Sequence, residues 1–141
     1  MIEHQTTMHV RYGETDQMGY VHHSNHVLYL EEARMDLFSC YGLDVAALER
    51  EGILLPVVGM EIRYVMPLYF GDQLTVETTL NADYKFKLQL KYKILNQNQN
   101  LVAKATTSLV FVHKESGKLI PGFHKYLEPL LSEEIKSSHI L

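Results

Sequence analysis

Cysteine is almost missing. Cys40 is the single one in 141 residues, so no disulfide can form within the chain and no Cys-rich zinc site can be assembled. A reducing, cytoplasmic setting is the expectation. A basic excess is missing too. Lys and Arg number 13 against 17 Asp and Glu, and 13 − 17 gives a formal charge of −4, which leaves no electrostatic footprint for general nucleic-acid binding. Long apolar runs are also absent. The stretch from Gly52 to Met60 falls far short of the ~20 residues that span a bilayer, and MIEHQTTMHV lacks the basic-then-apolar order of a secretory leader. No composition break, repeat or low-complexity tract divides the chain. What is present is 46% hydrophobic and 21% charged, an ordinary globular balance. A chain this long makes one domain and hides roughly 70% of its unfolded surface, so a single domain over residues 1–141 is expected.

The apolar residues recur with two different periods. Met8, Val10 and Tyr12 alternate with His9, Arg11 and Gly13, which predicts a short strand. GETDQMGYVHHSN then reads as a loop. Ser24 or Asn25 would cap a helix. Val27, Leu30, Ala33, Leu37 and Tyr41 follow at spacings of three and four, one apolar stripe ended by Gly42. That predicts a helix of about 17 residues, about 25 Å long. A short helix may be placed over Asp44 to Arg50. Beyond Gly52 the period becomes two. Val58 to Met66, Leu74 to Leu80 and Tyr84 to Ile94 all alternate, and Leu101 to His113 is rich in apolar and β-branched residues. PLYFGD, NAD and NQNQN are the turns between them. Strands joined by short links make an antiparallel sheet. One long amphipathic helix can cover its apolar face, an α+β arrangement. Its open edges predict pairing between two copies of the chain, and so at least a homodimer.

The stretch that can carry chemistry is RYGETDQMGYVHHSNHVLYLEEAR, Arg11 to Arg34. Asp16 sits in a glycine-containing loop, and His22, His23 and His26 follow at a helix start. The first amides of a helix lack intrahelical acceptors and carry the positive end of its dipole, so they can polarise a carbonyl. A carboxylate held beside them could attack an acyl carbon or activate water. An Asp in such a loop is also a common turn-former, and local chemistry leaves both readings open. His22 and His26 have a spacing that metal ligands use, without an evident third ligand. Glu31 and Glu32 read as a solvated face, with Arg34 as an i,i+3 partner for Glu31. Lys85, Lys87, Lys91 and Lys93 read as the wet side of a strand, Asp72 as a turn residue, and Cys40 as a thiol without a paired base.

TDQMGYVHHSNHVLYLEEAR resembles the signature of the 4-hydroxybenzoyl-CoA thioesterase-like group of acyl-CoA thioesterases. RYVMPLYFGDQLTVET and LVAKATTSLVFVHKESGKLIP resemble its later blocks, in the right order, so the likeness runs from about Met8 to Pro121. The resemblance implies a hotdog fold, one long central helix wrapped by a mainly antiparallel sheet of about five strands. It implies hydrolysis of an acyl-CoA to a free acid and coenzyme A. Asp16 would be nucleophile or general base, and His23 a supporting catalytic residue. Gly19, Tyr20, Val21, Ser24 and Asn25 would bind the substrate, with amides near His23 and Ser24 holding the thioester oxygen. The acyl group would lie in an apolar slot beside the helix, at a dimer interface. Coenzyme A would be part of the substrate, with no separate cofactor and no metal. Tyr20, His22 and His26 depart from the group's commoner residues, and those departures bear on the acyl group. Aliphatic, aromatic and hydroxylated acyl groups stay open, as do a carrier-protein thioester and a dimer or tetramer.

Other classes make other demands. Hydratases of this fold carry Asn-Pro and then a histidine five positions after the aspartate; here Gln17-Met18-Gly19 follows Asp16. A second thioesterase branch carries a His-Gly-Gly turn, which this chain lacks. A non-catalytic module that binds acyl-CoA or acyl carrier protein would use the same slot without needing Asp16 ionised. A purely structural oligomer would leave the match around Asp16 unexplained.

Overall fold

A computed structural model describes residues 2–81, 87–121 and 126–128. In chain order these form β1 (Ile2–His9), a 3₁₀ turn (Tyr12–Glu14), α1 (His23–Cys40), α2 (Val45–Arg50), β2 (Ile53–Leu54), β3 (Val57–Tyr64), β4 (Gln73–Asn81), β5 (Leu88–Asn96), β6 (Leu101–Leu109) and β7 (Val112–His113). Five strands make one sheet in the order β1-β4-β5-β6-β3, every neighbour antiparallel. β2 and β7 form a separate pair. α1 lies against β1 and β4.

Period two does what it should in β5. Leu88, Leu90, Tyr92 and Ile94 are buried while Lys91 and Lys93 are exposed, with Lys93 opposite Glu77 on β4. Lys87 is exposed as well, and Lys85 lies outside the described residues. β1 begins and ends earlier than the expected strand around Met8 to Tyr12. The alternation was masked because two positions between buried Ile2 and Met8 are polar. His4 and Thr6 both bond the Asp36 carboxylate on α1, at 2.8 and 2.7 Å. The stretch expected as one strand over Leu101 to His113 is broken at Leu109, and β7 leaves the sheet to pair with β2.

α1 starts before the expected caps. His22 is the N-cap, with Nδ1 3.3 Å from the Ser24 amide and 2.8 Å from the Ser24 hydroxyl. Asn25 is drawn away, because its side-chain amide donates to the carbonyl of Glu14 at 2.9 Å. At the other end Gly42 adopts φ +83°, and Gly42 N–H to Ser39 O and Leu43 N–H to Phe38 O close a Schellman turn. The apolar stripe holds at Leu30, Ala33 and Leu37, joined by Phe38. Each large apolar side chain buried this way contributes about 1.5–3 kcal/mol.

Two expectations fail against the packing. Arg34 is not a surface partner of Glu31; it is 9% exposed and donates to the Tyr92 hydroxyl at 3.5 Å. β3 alternates in sequence but has no covered face. Val57, Val58, Met60 and Tyr64 are exposed and only Ile62 is half-buried. α1 packs mainly on β1 and β4 and meets this edge strand only at Tyr64, among the described residues.

Candidate active site

Asp16 stands at the mouth of a small hairpin. Thr15 and Val21 form its neck as an isolated bridge, and Asp16 N–H donates to Tyr20 O at 2.7 Å. Gln17, Met18 and Gly19 turn the chain, with Gly19 N–H donating to Asp16 O at 3.0 Å. Gly19 has φ +82°, and no atom lies within 4 Å of where a Cβ would stand. Within the single chain the left-handed backbone angle alone therefore explains the glycine.

The Asp16 side chain is half-buried. Oδ1 accepts hydrogen bonds from the amides of Met18 and Tyr20, at 2.9 and 3.2 Å. Oδ2 has no hydrogen-bond partner among the described residues. The turn-forming and chemical readings of Asp16 are thus compatible: one oxygen organises the loop and the other is uncommitted.

The hairpin is fastened to the helix start by Glu14. Its carbonyl accepts from His22 N–H (2.8 Å) and from the Asn25 side chain (2.9 Å). Its carboxylate accepts from Arg11 N–H and from the Tyr29 hydroxyl, both at 2.8 Å. Tyr29 is 3% exposed, and burial, aided by the Glu14 carboxylate that accepts its proton, pushes the phenol well above its ordinary range. Sequence reasoning passed over Glu14 and Tyr29. The signal was there in Asn25 and Tyr29, polar-headed residues four apart on one helix face.

His23 is the first residue of α1 and is exposed. Its amide has no acceptor among the described residues, whereas the Ser24 amide faces His22 Nδ1. Its carbonyl accepts from the Tyr64 hydroxyl of β3 at 3.0 Å and lies 3.2 Å from His26 Nδ1. Its ring packs beside those of His22 and Tyr64. No hydrogen bond joins the His23 and Asp16 side chains among the described residues. His26 is 3% exposed and meets the Tyr64 ring edge-on; burial pulls its pKa below 6.5. His22 and His26 spend their Nδ1 atoms on the helix start.

The other expected substrate-binding residues have structural duties too. Val21 is buried and donates to Leu68 O at 2.8 Å. Tyr20 bridges to Tyr69, and their rings meet edge-on at 5.4 Å. Asp72 is a turn residue as expected, accepting from Tyr69 N–H at 2.8 Å. Glu31, Glu32 and Cys40 are exposed. No helix among the described residues is long and apolar enough to cross a membrane.

A long helix laid on a five-stranded antiparallel sheet, with an aspartate loop fastened to the helix start, defines a class. The sequence profile of the thioesterase-like superfamily matches residues 10–133, and the chain belongs to that superfamily as a hotdog-fold member of the acyl-CoA thioesterases. It is 40% identical over 111 residues to the protein named "Putative acyl-CoA thioesterase YneP" of Bacillus subtilis, covering 79% of this chain and 80% of that one. It is 30% identical over 106 residues to the 1,4-dihydroxy-2-naphthoyl-CoA hydrolase of Thermosynechococcus vestitus, covering 74% and 71%. The crystal structure of a DHNA-CoA thioesterase from Staphylococcus aureus superposes with a TM-score of 0.88 at 26% identity, over 100% of this chain and 97% of that one.

Proposed function

We propose that this thioester hydrolase cleaves acyl-CoA at the start of α1, with Asp16 as the reacting group. The observation that carries the reading is the divided aspartate. Two amides hold Oδ1 and so fix the carboxylate, while Oδ2 has no partner among the described residues; Glu14 fastens this loop to the start of a helix whose first amide, His23 N–H, has no acceptor among them. Oδ2 either attacks the thioester carbon, expelling the coenzyme A thiolate and leaving an anhydride for water to open, or takes a proton from the water that attacks. The His23 amide and the helix dipole stabilise the charge that gathers on the thioester oxygen. The exposed His23 ring supports the same end of the substrate. The acyl group runs along the ridge of His26, Leu30 and Arg34, from Tyr64 of β3 toward Tyr92 of β5. Coenzyme A enters as half of the substrate, free or replaced by the same thioester on a carrier protein.

β3 fits a second copy of the chain. An exposed edge strand is often blunted by charge or proline; β3 carries exposed Glu61 and Arg63, yet it also presents Val57, Val58 and Met60 and continues into exposed Val65 and Met66. Pairing there would make a homodimer and close the open side of the acyl slot.

Free-thiol release from a panel of acyl-CoAs, by wild type and Asp16→Ala side by side, tests the reading. Turnover of at least one thioester by wild type, with a loss of ~100-fold or more in a folded variant, is the expected result. Equal inactivity of both proteins on every acyl-CoA and carrier thioester contradicts it and leaves an acyl-binding module.

A further inference from the structure

Arg34 is a buried cation that no carboxylate among the described residues neutralises. It is 9% exposed, and its one hydrogen bond among the described residues goes to the Tyr92 hydroxyl at 3.5 Å. That hydroxyl is itself 2.7 Å from Thr107 Oγ1. Tyr92 and Thr107 are 2% and 1% exposed. A guanidinium stays charged at any physiological pH and offers five donors. One long bond to a neutral hydroxyl does not offset the loss of its hydration. No carboxylate among the described residues lies within ion-pair distance of it.

The position of this cation is informative. His26, Leu30 and Arg34 recur at spacing four and form one ridge of α1. His26 meets Tyr64 of β3, and Arg34 reaches Tyr92 of β5, beside Thr107 of β6. The sheet floor below is built from small side chains, Ala103, Ala105 and Thr107, paired with Tyr64, Ile62 and Met60 of the open strand β3. Along α1, Arg34 lies about 16 Å beyond His23, and its guanidinium reaches across to Tyr92 on the sheet.

We propose that Arg34, with the Tyr92–Thr107 hydroxyl pair, is the distal subsite of the acyl slot and selects acyl groups that end in an anionic oxygen, a terminal carboxylate first of all. The proposal rests on the placement of the thioester at Asp16 and His23. With a hydrogen bond at each end, an extended chain of about eight carbons spans roughly the distance along α1 from His23 to Arg34. The terminal carboxylate then accepts from guanidinium donors that lack an acceptor among the described residues. Arg34 acts on specificity and touches no reacting atom.

The test compares octanedioyl mono-CoA with octanoyl-CoA, the same chain with and without the terminal carboxylate. The wild-type ratio of kcat/KM values is expected to favour the carboxylated substrate by about ten- to a hundredfold, the range of a charge-assisted hydrogen bond. In Arg34→Met, and in Tyr92→Phe should the first variant fold poorly, that ratio falls toward one. A merely structural role would lower both activities and leave the ratio standing. A wild-type ratio near one, with octanoyl-CoA turned over, overturns the distal subsite and leaves Asp16 untouched. Failure of wild type on both substrates, and on the rest of the panel, overturns the placement at Asp16 itself. Loss of dimer in sedimentation by Arg34→Met, with an unchanged substrate ratio, assigns the missing anion to a second copy and also overturns the proposal.

Discussion

The charge state of individual side chains is set by what surrounds them. His26 is buried against Tyr64 and Tyr29, with Nδ1 turned to the His23 carbonyl. Burial depresses its pKa below the 6.5 of an open histidine. In the unfolded chain the same ring takes up a proton near pH 6.5. Between that value and the lower folded value the unfolded state binds more protons, so stability is full above pH 6.5 and is lost as pH falls below it. The loss for this one group cannot exceed about 1.4 kcal/mol per pH unit. Urea midpoints measured from pH 7.5 to 5.5 should therefore fall in wild type and fall less in His26→Phe. Equal slopes in the two proteins would show that His26 is not the group concerned. Asp36 shifts in the same sense but at lower pH, because Thr6 and His4 donate to its ionised form.

Between elements, the important join is the one from the Asp16 hairpin to α1, and Glu14 makes it with both its carbonyl and its carboxylate. Tyr29→Phe removes one bond and no packing volume. It should cost about 1 kcal/mol of stability and loosen the hairpin enough to lower kcat by roughly tenfold, with KM nearly unmoved. An unchanged kcat would mean that the other Glu14 bonds hold the loop alone. The sequence shows only the Asn25–Tyr29 spacing and not what the two residues reach, because their partners are 11 and 15 residues away and one of them is a backbone carbonyl. The same blindness covered the N-cap. Ser24 and Asn25 have the chemistry of caps, but their side chains were already engaged by His22 and Glu14, and His22 took the position. Where a rule needs only neighbours, the sequence was legible: the alternation of Tyr84 to Ile94, of which 87–94 lie within the described residues, the short helix over Asp44 to Arg50, which Asp44 caps with a 3.0 Å bond from Ala47 N–H, and Gly42 as the end of α1. β1 was misplaced because inward His4 and Thr6 look like surface residues until Asp36 is brought to them.

For the whole molecule, β3 is the strand through which the proposed dimer would pair. Its alternation is that of a strand with one covered face, yet neither face is covered by the described residues. The sequence contains the demand for a partner and not its identity, since a burial pattern does not say which surface completes it. A second copy would meet the demand. Val58, 53% exposed on this edge strand, is the place to oppose it, because a lysine on an edge strand discourages pairing. If the proposed dimer forms through β3, Val58→Lys should shift the protein from dimer to monomer in analytical ultracentrifugation and lower thioesterase activity with it, as the proposed acyl slot would lose its second wall. A variant that stays dimeric at low protein concentration would place the interface elsewhere.

Asp16→Asn asks whether Asp16 itself breaks the thioester. Asparagine keeps an oxygen for the Met18 and Tyr20 amides, so the loop is retained, and it replaces the free carboxylate oxygen with an amide that neither attacks nor takes a proton. Thiol release from the best acyl-CoA substrate should fall by about 100-fold or more in this variant, with an unchanged circular dichroism spectrum and melting temperature. A correctly folded Asp16→Asn protein that retains wild-type turnover would contradict the account.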